Sequence, residues 1–409
     1  MNKTHGIGAK LMLLLLLISL MLTSCSLLPT TVSETVKEDA SDMVTISRAE
    51  FDRLKQYEEL SEIQQVVDQY FYLKPDHTAM LDGAALGLLY GLNDPYSRYL
   101  NPEDYAQMWA DDEGNYAGIG IQIMADYTTG LCTITRVFLN SPALEAGLRK
   151  GDILTKADDL DVIATTLQDA VTIMRGEVGK TVNVQVQRGT ELLDFVIARA
   201  NVHVNYVNSC MLENDIGYIS LYEFAGDCST AFKTQLDALV DEGAKALIMD
   251  LRDNPGGWVD DAAKLADIFL PAGDLTSLVY RDGTTENYTT SDGALDLPLV
   301  VLVNGNSASA SEILSGALQD YKRATIVGTQ TYGKGVVQYV LPIGSRGAGM
   351  QLTVAQYYTP NGHAVHKIGI TPDILCELPP DDTTMYEIGD MADAQLAKAY
   401  EIMMDMLAK

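Results

Sequence analysis

The chain has 409 residues, of which 56 are acidic and 28 are basic, and its formal net charge at pH 7 is −28. This balance disfavours nucleic-acid binding, which needs Lys and Arg side chains against phosphates, and we interpret it as favouring solubility rather than any particular fold. A chain of this length predicts two or three domains.

The first 24 residues have the pattern of a secretory signal. Lys3 and Lys10 precede an apolar run at 11–22 that is too short for a comfortable membrane span. The run ends in Leu-Thr-Ser-Cys, which resembles a bacterial lipobox, where a signal peptidase cuts before a lipidated cysteine. We therefore expect a lipoprotein signal peptide at 1–24, a lipid on Cys25, a flexible tether at 25–45 and an extracytoplasmic location on the bacterial cell membrane. The alternative is an uncleaved anchor with an incidental cysteine.

The remaining cysteines, Cys132, Cys210, Cys228 and Cys376, form no Cys-x-x-Cys pair. Zinc is therefore not expected, and no cofactor is predicted. We expect mostly buried free thiols, although export would allow a close pair to oxidise.

Residues 46–112 are predicted to be a helical region. The sequence Ser-Arg-Ala-Glu at 47–50 is a capping box, and it opens a pattern with apolar residues at three-to-four spacing through Tyr72. A second helical stretch, about 78–92, ends before Pro95. These helices carry no cluster of reactive groups, so we expect them to pack on a core or to form the interface of a possible homodimer.

Residues 113–200 are predicted to be a small β domain. Five β-rich runs with one helix between the third and fourth are expected at 119–124, 133–137, 152–156, 182–187 and 193–198, with the helix at 167–175. The segment at 157–160 has no glycine, which makes the geometry of its hairpin the least certain part of this domain.

The segment 117–120 is predicted to be a loop before the first strand, in which glycines can expose backbone N–H groups to the terminal carboxylate of a peptide. Such a peptide would add as a strand beside the first β run, with its last side chain toward the helix. The residues expected to bind it are Ala117, Gly118, Ile119, Gly120, Ile121, Leu167, Val171, Met174 and Arg175. Arg175 would sense the peptide, pair with the core or act as a cation at a helix C-terminus. A β domain that binds nothing is the alternative.

Residues 201–380 alternate β and α patterns, which predicts a layered core with largely parallel strands. Strands are expected at 216–224, 246–251, 299–303 and 324–327, and helices at 227–242, 258–269 and 309–319. A tail at 381–409 contains an amphipathic helix at 393–407, which could dock on the core or on a second subunit.

Two short motifs in this core carry reactive groups. Ser309 follows an apolar strand and begins a helix, where unpaired N–H groups favour developing negative charge. Lys334 lies between two glycines near another strand, so little bulk keeps it from a tight site. Together they suggest a serine nucleophile with a lysine base, although Ser-Ala runs also occur simply as helix caps.

The motifs around these residues resemble those of the carboxyl-terminal processing peptidases, or tail-specific proteases. The matching segments, in collinear order from about residue 50 to 405, are Asn-Asp-Pro-Tyr-Ser at 93–97, Tyr-Ala-Gly-Ile-Gly at 116–120, Asp-Leu-Arg-Asp-Asn-Pro-Gly-Gly at 250–257, Asn-Ser-Ala-Ser-Ala-Ser-Glu at 306–312 and Gly-Lys-Gly-Val-Val-Gln at 333–338. The resemblance implies a crotonase- and Clp-like α/β protease core, an inserted PDZ-like β domain at 113–200 and N-terminal helices. The sequence differs from the usual family motif at Asn93, where an aspartate is usual.

In this family the serine is the nucleophile, the lysine is the base and a glutamine follows four residues later, which implies roles for Ser309, Lys334 and Gln338. The lysine must be neutral to accept a proton, and burial without a carboxylate partner lowers its pKa. On a continuous strand Gln338 would share the face of the lysine and orient it. Gly256 or Gly257, with the N–H of Ala310, would form the oxyanion hole.

Other assignments of the site stay open. A Ser-His-Asp triad would use His363 or His366 as its base. Asp320 lies where some family members have an aspartate needed for activity, and we expect it to orient local structure.

The whole sequence therefore predicts a lipid-anchored, extracytoplasmic serine endopeptidase that recognises the C-termini of protein or peptide substrates. A PDZ-bearing scaffold or sensor with an inactive core is the alternative, and an acyl-transfer enzyme with the same dyad is a third hypothesis. A regulatory protein is a possible further partner.

Overall fold

The computed structural model describes residues 44–127, 129–291, 293, 295–379, 384 and 386–408. The signal peptide, Cys25 and nearly all of the predicted tether lie outside the described residues. Within the part of the chain that is described, no helix is both long and apolar enough to cross a bilayer. The chain divides into two compact units, one ending at His77 and the other beginning at Thr78.

In the described residues of the first unit, which begin at 44, the helical pattern predicted to run through Tyr72 is divided into two helices. Helix α1 spans Arg48–Lys55 and helix α2 spans Glu58–Tyr70. Ser47 caps α1 as predicted, because its hydroxyl accepts a hydrogen bond from the N–H of Glu50 at 3.1 Å. The helices are separated at Tyr57, whose backbone angles (φ −105°, ψ 13°) are not helical. Apolar spacing continues across this break, so the periodicity could not reveal it.

The second unit begins with elements that lead into its sheets. These are helix α3 (His77–Tyr90), strand β1 (Arg98–Leu100) and helix α4 (Pro102–Asp112). Asn101 caps α4, since its side-chain oxygen accepts from the N–H of Asp104 at 2.9 Å, and Pro102 occupies the first helical position.

The β domain follows. Its elements are β2 (Asn115–Gly118), β3 (Ile121–Ala125), β4 (Cys132–Val137), α5 (Pro142–Ala146), β5 (Ile153–Ala157), β6 (Leu160–Asp161), α6 (Leu167–Met174), β7 (Thr181–Arg188), β8 (Glu191–Ala198) and β9 (Ala200–His203). Strands β3, β4, β5, β7 and β8 form a sheet in that order, with β6 paired to β5, and β2 pairs with β9. Strand β3 is thus an edge strand, as the peptide-addition hypothesis requires.

Two local expectations for this domain need correction. Ala117 and Gly118 belong to strand β2 and pair with β9, so they are not part of a loop before the first strand of the sheet. The hairpin at 157–160 forms without glycine, because Asp158 itself takes a left-handed conformation (φ 47°). The carboxylate of Asp158 accepts from the N–H of Asn183 at 2.8 Å, which holds this turn against β7.

The α/β domain is built on a six-stranded sheet in the order β10-β11-β12-β15-β16-β19. Its strands and helices are β10 (Val207–Leu212), β11 (Ile216–Leu221), α7 (Cys228–Asp241), β12 (Ala246–Asp250), α8 (Val259–Phe269), β15 (Leu299–Val303), α9 (Ala310–Asp320), β16 (Thr325–Gly328), β19 (Ile374–Leu375) and α10 (Ala394–Leu407). All neighbouring pairs are parallel except β10 with β11. The predicted parallel α/β core is therefore confirmed.

Alternating residues of the central strands enter two separate apolar layers. Ile219, Leu247 and Val301 pack with helices α7, α8 and α9. Ile248 and Val300 face the other way and pack with helix α10. Because both faces are covered, these strands read as continuous apolar runs in the sequence.

A second, antiparallel sheet was not predicted. It contains β1, β13 (Gly273–Tyr280), β14 (Thr285–Thr290), β17 (Val336–Ile343) and β18 (Ala348–Tyr358). Strand β18 lies between β1 and β13 and also pairs with β17. The alternation of β and α patterns predicts fully buried strands, whereas most residues of these strands are partly or fully exposed.

A buried ionic network joins the C-terminal helix to the end of β12. The Arg252 guanidinium contacts the carboxylates of Asp250 at 2.6 Å and Asp393 at 2.7 Å. Asp393 also caps α10 through the N–H of Gln395 at 2.9 Å. The predicted tail helix therefore docks on the core of its own chain.

The four cysteines of the described chain are free thiols. Cys132 and Cys228 are buried, whereas Cys210 and Cys376 are partly exposed.

Candidate active site

Ser309 lies in the turn between β15 and α9, at the start of the predicted helix. Its backbone angles (φ 55°, ψ −116°) are rare for a residue with a side chain, and such strain costs of order 1–3 kcal/mol. The turn is fixed by Ser307, which is fully buried. Its hydroxyl donates to the carbonyl of Leu251 at 2.7 Å and accepts from the N–H of Asn304 at 2.9 Å. The strained conformation is thus imposed by its neighbours.

Asn254 joins this turn to the loop that follows β12. Its backbone carbonyl accepts from the N–H of Ala308 and from the hydroxyl of Ser311, both at 3.0 Å. Its side-chain amide donates to the carbonyl of Leu221 at 2.8 Å, and its side-chain oxygen accepts from the N–H of Gly256 at 2.9 Å. Asn254 is fully buried, so the two loops are held together from inside the protein.

The contacts of Asn254 remove Gly256 from the predicted oxyanion hole. The N–H of Gly256 already donates to Asn254, so it is not available to an oxyanion. Gly256 instead allows close packing, since a Cβ there (φ +100°) would lie 2.7 Å from the Cβ of Ser309. Gly257 is exposed, and Ala310 is the first residue of α9. In the described chain the N–H groups of Gly257 and Ala310 donate no backbone hydrogen bond, so these two groups remain the candidates.

Glu312 links the serine segment to the lysine segment. Its side chain is fully buried, and one carboxylate oxygen accepts from the N–H groups of Ser309 and Lys334, each at 2.9 Å. The other oxygen accepts from the hydroxyl of Thr331 at 2.6 Å and the N–H of Gly333 at 2.7 Å. Four donors match the four lone-pair sites of a carboxylate. Burial raises the pKa of Glu312, and these hydrogen bonds act in the opposite direction.

Lys334 is partly buried and its ammonium lies over the ring of Tyr96, 5.2 Å from the ring centroid. Burial lowers the pKa of Lys334, and the charge of Arg98 adds to this effect. Glu312 and Asp94 act in the opposite direction. In the described chain no carboxylate lies within 4.0 Å of this amine. The environment therefore favours the neutral amine that a general base needs.

Gln338 lies on β17, but the argument that it shares the face of Lys334 is wrong. Lys334 precedes the strand, which begins at Val336, and β17 has an irregularity in its pairing between Val337 and Gln338. Simple alternation therefore does not relate the two side chains. The amide of Gln338 donates to the hydroxyl of Thr353 at 3.2 Å.

Thr353 continues this contact toward the segment that carries Tyr96. The N–H of Thr353 donates to the hydroxyl of Ser97 at 3.0 Å, and Ser97 in turn donates to the carboxylate of Asp94. Gln338 is thus anchored to the same turn that places the aromatic ring beneath the lysine.

The histidines and Asp320 lie in another part of the domain. Asp320 is the last residue of α9, so a helix of eleven residues separates it from Ser309; at 1.5 Å per residue this is about 16 Å. Its carboxylate accepts from the N–H of Asn361 at 2.8 Å and lies 3.3 Å from Nδ1 of His363. His363 is largely exposed. The backbone of His366 packs against Gly335, where an added Cβ would lie 2.1 Å from its nitrogen.

The predicted peptide groove of the β domain opens into a cavity of about 270 Å³. Its walls include Ile119, Ile121, Leu167, Val171, Met174 and Arg175 from the predicted set. Arg175 forms an ion pair with Asp111 of α4 at 2.8 Å and lies over the ring of Tyr116, 4.8 Å from its centroid. Asp111 belongs to the predicted N-terminal helical region at 46–112, so this ion pair is not the expected pairing of Arg175 with the protease core.

The side chain of Tyr116 lies against the glycine-containing segment 118–121 of this groove. An added Cβ at Gly118 would lie 2.6 Å from its ring. Burial raises the pKa of Tyr116 to about 12, while Arg175 and hydrogen bonds from the N–H groups of Gly120 and Ile121 act in the opposite direction. A terminal carboxylate that used these N–H groups would have to displace the tyrosine hydroxyl.

Three family models match the chain. Residues 215–376 match peptidase family S41, residues 117–198 match a PDZ domain, and residues 22–104 match the N-terminal domain of the activating protease CtpB. A carboxy-terminal-processing protease of Bartonella bacilliformis is 36% identical over 82% of this chain and 78% of its own length. The chain belongs to the carboxy-terminal-processing peptidases of family S41.

Two further similarities agree with this assignment. A carboxyl-terminal-processing protease of Synechocystis is 37% identical over 77% of this chain and 75% of its own length. The solved structure of a photosystem II D1 C-terminal processing protease covers 86% of this chain and 97% of its own, with 27% identity and a TM-score of 0.55. The protein is thus a serine-type peptidase with a PDZ domain, which is the β domain described above, and an S41 protease core.

Sequence reasoning about this processing peptidase missed Glu312 and Tyr96 as parts of the site. Both lie inside motifs that were recognised, but their contacts are made with segments distant in the chain. Glu312 is the third residue of a helix that begins with serine, which alone predicts a helix cap. The acidic side chain among the small and apolar residues at 310–318 was the available signal for a buried role.

Replacing Glu312 with glutamine should destabilise the fold, because an NH₂ group would replace an oxygen that accepts two hydrogen bonds. Leaving two buried donors unpaired should lower the free energy of unfolding by about 2–5 kcal/mol, measured by urea denaturation. Glu145→Gln changes an exposed residue of α5 in the same way and should have an effect below about 0.5 kcal/mol. Equal stability of the Glu312→Gln variant and the wild type would contradict the proposed role of the carboxylate.

Proposed function

We propose that the protein is a lipid-anchored, extracytoplasmic endopeptidase that cleaves with a Ser309–Lys334 dyad and recognises substrate C-termini through its PDZ domain. The observation that carries the catalytic part is the shared carboxylate of Glu312, which bonds to the backbone N–H of both residues. One buried group therefore fixes the relative positions of the two segments. Two residues whose backbones are joined in this way suit a common reaction.

The chemistry follows from the environment of each group. The neutral amine of Lys334 would take the proton of the Ser309 hydroxyl as the serine oxygen attacks the scissile carbonyl. The N–H groups of Gly257 and Ala310 would donate to the oxyanion, and the start of α9 adds the positive end of a helix dipole. The lysine ammonium would return its proton to the leaving amine, and water would then hydrolyse the acyl-enzyme.

Substrate capture is proposed from the edge position of β3. A peptide would add there as a strand, with its last side chain among Leu167, Val171 and Met174 and its carboxylate at the N–H groups now near Tyr116. Membership of a peptidase family favours this function over the scaffold hypothesis. Displacement of the Tyr116 hydroxyl would accompany binding.

Ser309→Ala and Lys334→Ala should each lower kcat/KM for hydrolysis of an unfolded protein such as β-casein by at least about 10³-fold. The double variant should be no worse than either single one, because the two groups act in one step. Circular dichroism and the unfolding transition check that the fold is retained. Lys322→Ala, a change of a lysine just after α9, is the matched control. Wild-type turnover by Lys334→Ala would eliminate the lysine as base.

The lowered pKa of Lys334 predicts the pH dependence. Because the neutral amine is the active form, kcat/KM should rise with pH through the pKa of this group in the free enzyme. Removing the charge of Arg98, which contributes to the lowered pKa, should move the rise to higher pH in Arg98→Gln. A rise that stays in place, or moves to lower pH, would argue that another group titrates.

Lipid anchoring rests on the Leu-Thr-Ser-Cys sequence before residue 26. Cys25→Ser should abolish incorporation of labelled palmitate and shift the protein from the membrane to the soluble fraction. Cys376→Ser is the control, because it removes a cysteine that lies in the folded domain. Recovery of soluble, unmodified wild-type protein that begins at another residue would contradict the anchor.

A further inference from the structure

The wall of the cavity into which the PDZ groove opens includes a buried arginine, Arg136, one nitrogen of which has no hydrogen-bond partner in the described structure. Arg136 is 9% exposed, and its Nη2 atom is buried without a partner in the described structure. Its guanidinium lies 3.7 Å from the ring centroid of Tyr222 and 5.0 Å from that of Phe138. Aromatic faces stabilise a cation but do not satisfy its N–H donors. The group is therefore held in place with unused hydrogen-bonding capacity.

A buried guanidinium without a hydrogen-bond partner lowers the stability of the fold. An unpaired charge away from water destabilises a protein by several kcal/mol unless a partner is supplied. Burial lowers the pKa of Arg136 to about 10, which still leaves it charged near neutral pH. Exceptions of this kind to the rules of stable packing are expected at functional sites.

The acidic groups on the cavity wall form no ion pair with Arg136 in the described structure. Asp111 is engaged with Arg175 at 2.8 Å. Glu223 lines the same cavity, but no ion pair within 4.0 Å joins it to Arg136 in the described structure. Burial raises the pKa of Glu223, and the charge of Arg136 acts in the opposite direction, so Glu223 attracts Arg136 across the cavity without bonding to it.

The position of Arg136 in the sheet determines what can reach it. Arg136 lies on β4 directly opposite Gln122 of the edge strand β3, and the pairing becomes irregular only after this pair, between Gln122 and Ile123. Directly opposed residues of neighbouring strands share a face. A peptide added beside β3 would present alternate side chains to the two faces. If its last side chain points to α6, the side chains one and three positions earlier lie on the face of Gln122.

We propose that Arg136 is a specificity residue that binds an acidic side chain of the substrate, one or three positions before its C-terminal residue. The ligand is a carboxylate, which a guanidinium binds through two parallel hydrogen bonds. This inference rests on the proposed function, because it requires a peptide in the PDZ groove. It adds to that function a substrate class, proteins with an acidic residue close to an otherwise apolar C-terminus.

The test uses detergent-solubilised full-length protein carrying Ser309→Ala, so that peptides bind without being cleaved. Each fluorescent peptide ends in an apolar residue and carries a single Asp or Asn at one of the four preceding positions, and its Kd is measured by fluorescence anisotropy. The Asp peptide should bind at least about tenfold more tightly than the Asn peptide at the penultimate or the fourth-last position. It should show no preference at the third-last position, which faces α6.

Variants then connect the preference to the residue. Arg136→Met should reduce the ratio of the Asn to the Asp Kd to about one, and Arg136→Lys should restore part of it. Arg149→Met, which changes an exposed arginine of the same domain outside the cavity wall, should keep the wild-type ratio. Two results would overturn the proposal. One is a ratio of the Asn to the Asp Kd near one at both positions in the protein that keeps Arg136, and the other is an unchanged ratio in Arg136→Met. The comparison of Asp and Asn peptides in the protein that keeps Arg136 tests the proposal even if Arg136→Met does not fold.

Amidated peptides separate this inference from the proposed function. If neutral peptides with a free carboxylate bind and their amides do not, the groove recognises C-termini, whatever Arg136 contributes. If the free and amidated peptides bind alike, C-terminal recognition itself is wrong.

Discussion

The buried carboxylate of Glu312 is the interaction on which the site depends. It joins the strained start of α9 to the loop before β17, two segments that are brought together only by the fold. Its desolvation is offset by four hydrogen bonds, and removing any of them would leave a buried donor or part of a buried charge without a partner. The carboxylate therefore couples the conformation of Ser309 to that of Lys334.

The same arrangement explains how a lysine can lie near a buried acid and still be suited to act as a base. A free carboxylate beside an amine raises the pKa of the amine. The charge of Glu312 still acts to raise the pKa of Lys334, but its lone pairs are occupied by backbone N–H groups and the hydroxyl of Thr331, so it makes no hydrogen bond to the amine. The ammonium of Lys334 lies over the ring of Tyr96, and burial together with Arg98 lowers its pKa. The acid thus organises the backbone while the side chain of the lysine stays in a desolvating environment.

The sequence was sufficient for the parts of the structure that depend on local pattern. The parallel sheet, the helix beginning after Ser309 and the capping of α1 by Ser47 follow from apolar runs and cap residues. It was insufficient where distant segments meet. The antiparallel sheet, the irregularity before Gln338 and the four bonds to Glu312 arise from tertiary pairing that periodicity does not encode. The use of the Gly256 N–H by Asn254 is a similar case, since a glycine-rich turn alone gives no sign of which N–H group stays free.

The loop at 251–257, which follows β12, is restrained at both of its ends. These restraints help to position the N–H group of Gly257, which is proposed to bind the oxyanion. At its start, Arg252 is held by Asp250 and by Asp393 from the C-terminal helix. At its end, Gly257 packs on Phe224, where an added Cβ would lie 2.1 Å from the carbonyl oxygen. Phe224 follows Tyr222, on which the PDZ residue Arg136 stacks, after a single intervening residue. The short segment 222–224 therefore contacts both Arg136 in the wall of the peptide groove and Gly257 in the loop after β12. A change in the conformation of this segment would alter the packing of both residues.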